Sequence, residues 1–131
     1  MSLAYVDTSC LVAITFDEPG ATRLAARLQR FDRLFASNLL EAELRSALTR
    51  EGVREGVDDR EISMLSWLTW IYPDRPLTAE LTRITALGYL KGADLWHLAN
   101  ALFLAPDGKR LAFLTLDKRQ RDVGAKLGFS L

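Results

Sequence analysis

The chain is poor in the residues that build soft-metal centres: its 131 residues include one cysteine and one histidine. Cys10 alone can form neither an internal disulfide nor a cysteine cluster for zinc. His97 alone excludes a histidine-rich metal site. An excess of charge is also missing, since 17 Lys and Arg balance 17 Asp and Glu. That argues against holding nucleic acid by bulk charge, though not against a local basic patch. Long apolar runs are absent too. The longest, Leu95 to Ala105, is broken by His97 and Asn100 and falls short of the roughly 20 residues a membrane span needs. The N-terminal apolar stretch is interrupted by Asp7, too early for a secretory segment. No repeat, linker or low-complexity segment is visible. The expectation is a cytoplasmic protein without a membrane partner.

What remains is ordinary globular material, 49% apolar and 26% charged, with length for one domain over residues 1–131. Leu3-Ala4-Tyr5-Val6 reads as a strand buried on both faces, ending at Asp7. Thr8 to Ile14 gives one or two helical turns, and a helix is expected from about Pro19 to Gln29. Residues 34–37 form a second strand candidate. Asn38 to Arg50 follows as a helix with Leu40, Leu44, Ala47 and Leu48 on one stripe. Asp58-x-x-Glu61 has the pattern of a capping box for a helix from about Asp59 to Trp67 or Leu68. Residues 70–73 are a third strand candidate, weakened by Pro73. Helices are expected from Thr78 to about Gly88 and from Asp94 to Leu104. Residues 111–116 are the clearest strand, followed by Asp117 and a helix to about Leu127, with Gly128 just past its end. Residues 129–131 are a candidate edge strand. Strands alternating with helices predict an α/β fold with a parallel sheet and helices on both faces.

In such sheets ligands gather at the carboxyl ends of the strands. Asp7 and Asp117 stand at two such ends, Asp94 at a helix start, and Glu43 early in a helix that follows a strand. Each aspartate has a local use as a helix cap or dipole partner. Asn38-x-x-Glu41 has a capping-box spacing that would occupy Glu41, whereas Glu43 has no such use and borders the apolar stripe. Two carboxylates about 4 Å apart repel by roughly 4 kcal/mol at an effective dielectric near 20. Several such pairs are hard to carry in a domain stable by about 5–15 kcal/mol. A divalent cation removes the difficulty, and an all-oxygen donor set selects Mg²⁺ or Mn²⁺.

Four segments carry a resemblance: Y-V-D-T-S, S-N-L-L-E-A-E-L-R-S-A-L, A-D-L-W-H-L-A-N-A-L and F-L-T-L-D-K-R, in that order. Together the sequence resembles the PIN-domain family, and within it the VapC toxins of toxin–antitoxin pairs. The resemblance implies a three-layer α/β/α sandwich around a parallel sheet of four to five strands. It also implies a metal-dependent endoribonuclease with Asp7, Glu43, Asp94 and Asp117 as its acidic residues. Asp7 and Asp94 are then direct Mg²⁺ ligands, and Mn²⁺ may substitute. Ser9 and Thr115 match small hydroxyl positions that bond a carboxylate or an ion-bound water. An RNA substrate, a VapB-like antitoxin and a homodimer are implied as well.

Phosphodiester hydrolysis needs an activated water and relief of phosphate charge, which carboxylate-held Mg²⁺ supplies. Glu43 would orient or deprotonate the water. Between Lys109 and Lys126 six basic residues face two acidic ones, and Lys118, Arg119 and Arg121 directly follow Asp117, where they would hold RNA phosphates. Taken singly, each also reads as part of a solvated helix face. His97, one turn after Asp94, is expected to pack or cap rather than bond a carboxylate. Trp96 is expected in a core or dimer interface. Cys10 is expected to pack as a small apolar residue.

Rival readings fit less of the pattern. A receiver-type signalling domain wants an acidic pair after the first strand and gives Glu43 no place. An aspartyl phosphatase wants a second Asp where Ser9 stands. A DNA 5′-nuclease needs more chain. A non-catalytic PIN-like RNA-binding or scaffold domain is the alternative that keeps the fold and drops the chemistry.

Overall fold

The computed structural model of the protein describes residues 1–52 and 63–131. These residues hold a four-stranded, all-parallel sheet of β1 (Leu3–Val6), β2 (Arg33–Ser37), β3 (Leu68–Ile71) and β4 (Ala112–Leu114), in the order β3-β2-β1-β4. The described helices are α1 (Thr8–Thr15), α2 (Ala21–Leu28), α3 (Leu39–Arg50), α4 (Thr78–Thr85), α5 (Gly92–Leu104) and α6 (Lys118–Lys126).

The alternation of side chains along β1 explains the layers. Ala4 and Val6 enter one apolar cluster with Leu11, Leu28, Leu40 and Leu44, which come from α1, α2 and α3. Tyr5, between them, points to the other face and joins Ile84, Leu98, Leu102 and Val123 from α4, α5 and α6. Both faces are thus covered, as an apolar parallel strand requires. The chain moves outward from β1 through β2 to β3, then returns past β1 to β4. Because crossovers in a parallel sheet are right-handed, reversing direction moves the helices to the opposite face. The reversal leaves a crevice between β1 and β4, at the carboxyl edge where open α/β sheets bind ligands.

Several boundaries differ from expectation. β3 spans Leu68–Ile71, two residues earlier than residues 70–73. Its pairing ends at Ser37↔Ile71, where β2 stops, and Tyr72 beyond is 67% exposed. β4 is three residues long because Thr115 turns its hydroxyl to local partners and Leu116 leaves the core. The last strand reduces to a single bridge, Ala112↔Ser130. α5 begins at Gly92, so Asp94 lies in its first turn. Of the helix expected from Asp59 to Trp67 or Leu68, residues 59–62 lie outside the described residues, 63–65 are helical, and Leu68 already belongs to β3. The Asn38-x-x-Glu41 capping box is not formed. Asn38, just before α3, has helical backbone angles and its side chain caps nothing, Ser37 Oγ accepts the Leu39 N–H at 3.1 Å, and Glu41 pairs with Arg45 at 2.8 Å.

Candidate active site

β1 delivers Asp7 to the crevice beside β4, where its N–H donates to the Leu114 carbonyl at 2.9 Å. The residue is 3% exposed, yet its carboxylate is well supplied with donors. Oδ2 accepts the Ser9 N–H at 3.1 Å, which caps α1, and Oδ1 accepts from Gln120 Nε2 at 3.1 Å. The Thr115 hydroxyl lies 3.3 Å from Oδ2 and 2.6 Å from Gln120 Oε1. It has one proton to give, and the shorter, amide-directed contact takes it. Fixing Oε1 in this way turns the Gln120 NH₂ toward Asp7. The Ser9 hydroxyl accepts the Leu116 N–H at 3.1 Å and lies 3.4 Å from the Thr115 hydroxyl, tying the start of α1 to the end of β4.

Two buried side chains stitch the acidic residues together. Gln120 is the first. Its amide also donates to the Asp94 carbonyl at 3.2 Å, while its own N–H donates to Asp117 Oδ1 at 2.8 Å, the cap of α6. Gln120 therefore touches Asp7, Asp94 and Asp117 at once. His97, fully buried, is the second. Its Nε2 lies 2.5 Å from Glu43 Oε1 and 3.8 Å from Asp7 Oδ1. Thr8 Oγ1 also donates to Glu43 Oε1, at 2.8 Å.

The charges respond to this crowding. Burial, then the neighbouring charges of Asp7 and Asp117, push the Asp94 carboxyl above its ordinary value, with Glu43 adding to the push and His97 opposing it. Partial burial would raise Glu43 as well, but the hydrogen bonds from His97 and Thr8 outweigh it and hold that carboxyl below its usual range. Asp94 thus carries the mutual repulsion, and its carboxylate accepts no hydrogen bond among the described residues.

Asp7, Glu43, Asp94 and Asp117 present oxygen donors only, which suits a hard cation. Among the described residues, no three His, Cys, Asp or Glu side chains close around one point as a metal cage. Mg²⁺ keeps several waters and binds through one or two carboxylates. The unpartnered Asp94 carboxylate, raised by burial and then by like charges, therefore fits a hydrated ion rather than an all-protein cage. Both Asp7 oxygens keep a second lone-pair direction beyond the bonds they accept.

The basic residues lie where α6 leaves the site. Lys118, Arg119 and Arg121 are exposed. Arg121 donates to the Thr115 carbonyl at 3.0 Å, while Lys118 and Arg119 make no hydrogen bond or ion pair among the described residues.

His97 departs from its expected role, since it bonds a carboxylate instead of merely packing. Trp96 is partly buried and donates Nε1–H to Ser37 Oγ at 3.1 Å. Gln120 is the residue sequence reasoning missed. Asp117-x-x-Gln120 also has the spacing of a capping box; Asp117 does cap α6, but the glutamine side chain does not reach back. Thr115 Oγ1 takes the Asp117 N–H at 3.0 Å and leaves Gln120 free for Asp7. The available signal was spacing: Asp94/His97 and Asp117/Gln120 are both i, i+3 pairs, which share a helix face.

Fold and cluster together define an α/β protein with an acidic crevice at its topological switch point. Residues 4–126 match the PIN domain, and the chain belongs to that family. PIN domains are generally nucleases that use divalent metal ions, which gives the protein a nuclease-type function on nucleic acid. No curated protein matches the chain. Among the described residues no helix is long and apolar enough to cross a membrane.

Proposed function

We propose that the protein is a Mg²⁺-dependent endoribonuclease, with Mn²⁺ able to substitute, acting as the toxin of a VapBC-type pair. The observation that carries the chemistry is the pair of bridges, Gln120 and His97, which hold Asp7, Glu43, Asp94 and Asp117 at one sheet edge. Asp7 and Asp94 would hold the ion, which supplies positive charge against the scissile phosphate and acidifies water. Asp7 is oriented for this by Ser9 and by Gln120, whose amide Thr115 fixes. Glu43, kept ionised by its hydrogen bonds, orients the water or takes its proton. Asp117 completes the acidic set. Lys118, Arg119 and Arg121 hold the flanking RNA phosphates. Residues 1–131 act as one PIN-like unit in a homodimer, restrained by a VapB-like antitoxin. These last assignments rest on the sequence resemblance to VapC.

The test is incubation of purified protein with total RNA in Mg²⁺ or Mn²⁺ and in EDTA, beside an Asp7→Ala control, with the cut ends mapped. Cleavage only in the metal arm of the unsubstituted protein is expected. Cleavage that survives EDTA or the substitution discards the mechanism. An effect in cells that persists in Asp94→Asn points to the non-catalytic alternative.

A further inference from the structure

Glu43 belongs to a longer chain of buried polar groups than hydrolysis by itself requires. Tyr5, fully buried in the central strand, accepts the Ser37 backbone N–H at 3.1 Å, and its hydroxyl oxygen lies 2.5 Å from His97 Nδ1. A phenol has one proton to give; Ser37 Oγ, which also bonds the Tyr5 hydroxyl, already accepts from the Leu39 N–H and Trp96 Nε1–H and so donates its own proton, which leaves the ring nitrogen as the acceptor. Tyr5 therefore donates and Nδ1 accepts, so Nδ1 carries no hydrogen. The imidazole proton is left on Nε2, 2.5 Å from Glu43 Oε1. Burial drives the Tyr5 pKa far up, which keeps its proton in place. Oε1 thus receives two donors, Nε2–H of His97 and the Thr8 hydroxyl, while Oε2 has no partner among the described residues.

We propose that Tyr5 and His97 are positioning residues for Glu43: the Tyr5 hydroxyl sets the His97 tautomer, and His97 Nε2–H clamps Oε1 so that Oε2 is presented to the attacking water. This rests on the reading of Glu43 given above. Outer hydrogen-bond partners of this kind fix ring orientation and tautomer in metal sites, and their loss typically costs about 10–100-fold. Tyr5 also stacks on Phe113 at 5.3 Å with its ring nearly parallel. Tyr5→Phe therefore keeps the packing and removes only the hydroxyl.

His97 is the sole histidine, so one long-range ¹H–¹⁵N spectrum of the full chain reads its tautomer without ambiguity. The unsubstituted protein should show the Nε2–H form at pH 7.5, and Tyr5→Phe should lose that preference. An Nδ1–H form, or the same spectrum from both proteins, overturns the proposal, and the first result needs no variant to fold. On an oligoribonucleotide with Mn²⁺, Tyr5→Phe and His97→Leu should lower kcat about 10–100-fold with KM little changed. His97→Gln, which keeps an N–H donor, should recover part of the loss. In a Glu43→Gln background Tyr5→Phe should add nothing, because the two act as one unit; a full additional loss there overturns the positioning role. If no protein cleaves RNA yet the spectra behave as expected, the relay to Glu43 stands and the nuclease reading falls.

Discussion

Replacing Gln120 with glutamate changes one atom in shape and one charge in electrostatics. In the native site Gln120 Nε2 donates to Asp7 Oδ1 at 3.1 Å, deep in the crevice. A carboxylate oxygen in that position would face another at the same separation. At an effective dielectric near 20, two charges 3.1 Å apart repel by about 5 kcal/mol. Protonation offers a less costly route, because a neutral carboxyl can donate to Asp7 as the amide does. Holding that proton costs about 1.4 kcal/mol for each pH unit above an ordinary value near 4.3. The cost is about 1 kcal/mol at pH 5, about 2.3 at pH 6 and about 3.7 at pH 7. Up to about pH 8 it stays below the repulsion, so protonation wins. The introduced carboxyl has its pKa raised on folding. Its stability is whole below the unfolded value and drains away as pH rises. Urea unfolding of Gln120→Glu and the native chain in EDTA at pH 5, 6 and 7 should show a gap that widens from about 1 to about 4 kcal/mol. A gap that is flat or narrows with pH would refute the placement of Gln120 against a charged Asp7.

Asp94→Asn should abolish metal-dependent cleavage, assayed on RNA, and should leave the metal-free protein no less stable. The raised Asp94 carboxyl destabilises the fold as pH climbs through its folded pKa, so the variant's advantage in thermal unfolding in EDTA should grow from pH 4 toward neutrality. Millimolar Mg²⁺ should raise the native melting temperature and leave that of the variant nearly unchanged. Glu43→Gln should show the opposite slope. The lowered Glu43 carboxyl stabilises the fold above its unfolded value of 4.5 and loses that contribution as pH falls through the folded pKa, so native and variant curves should converge in acid. Gly108→Ala should cost about 3 kcal/mol in urea unfolding, because a Cβ there would lie 2.4 Å from the Leu127 carbonyl oxygen on a backbone with φ +73°.

The sheet was legible where apolar runs ended in a carboxylate. Leu3–Val6 and the Ala112–Leu114 core of the last strand both precede an aspartate, and period and punctuation locate them. β3 was misplaced by two residues because Trp70, Ile71 and Tyr72 are all good strand formers. Only the end of β2 at Ser37 tells where pairing stops. The acidic residues could be named from motif and spacing, but what joins them could not. Capping and cluster membership are compatible uses of Asp7 and Asp117, and each does both. Gln120 and His97 look dispensable in one dimension, because their partners lie 113 and 54 positions away along the chain. Tyr5 gave the one clue available for the hidden relay: a phenol inside an apolar strand must find a partner for its hydroxyl.

The reversal of direction after β3 sets a condition on synthesis. Asp7 is made 113 residues before Gln120, and the crevice exists only once α6 lies against the end of β1. A nascent chain that has reached Thr115 already carries three of the four acids but has neither Asp117 nor the amide that restrains Asp7. A PIN domain of this connectivity thus has no finished acidic crevice until α6 has been synthesised and has folded against β1.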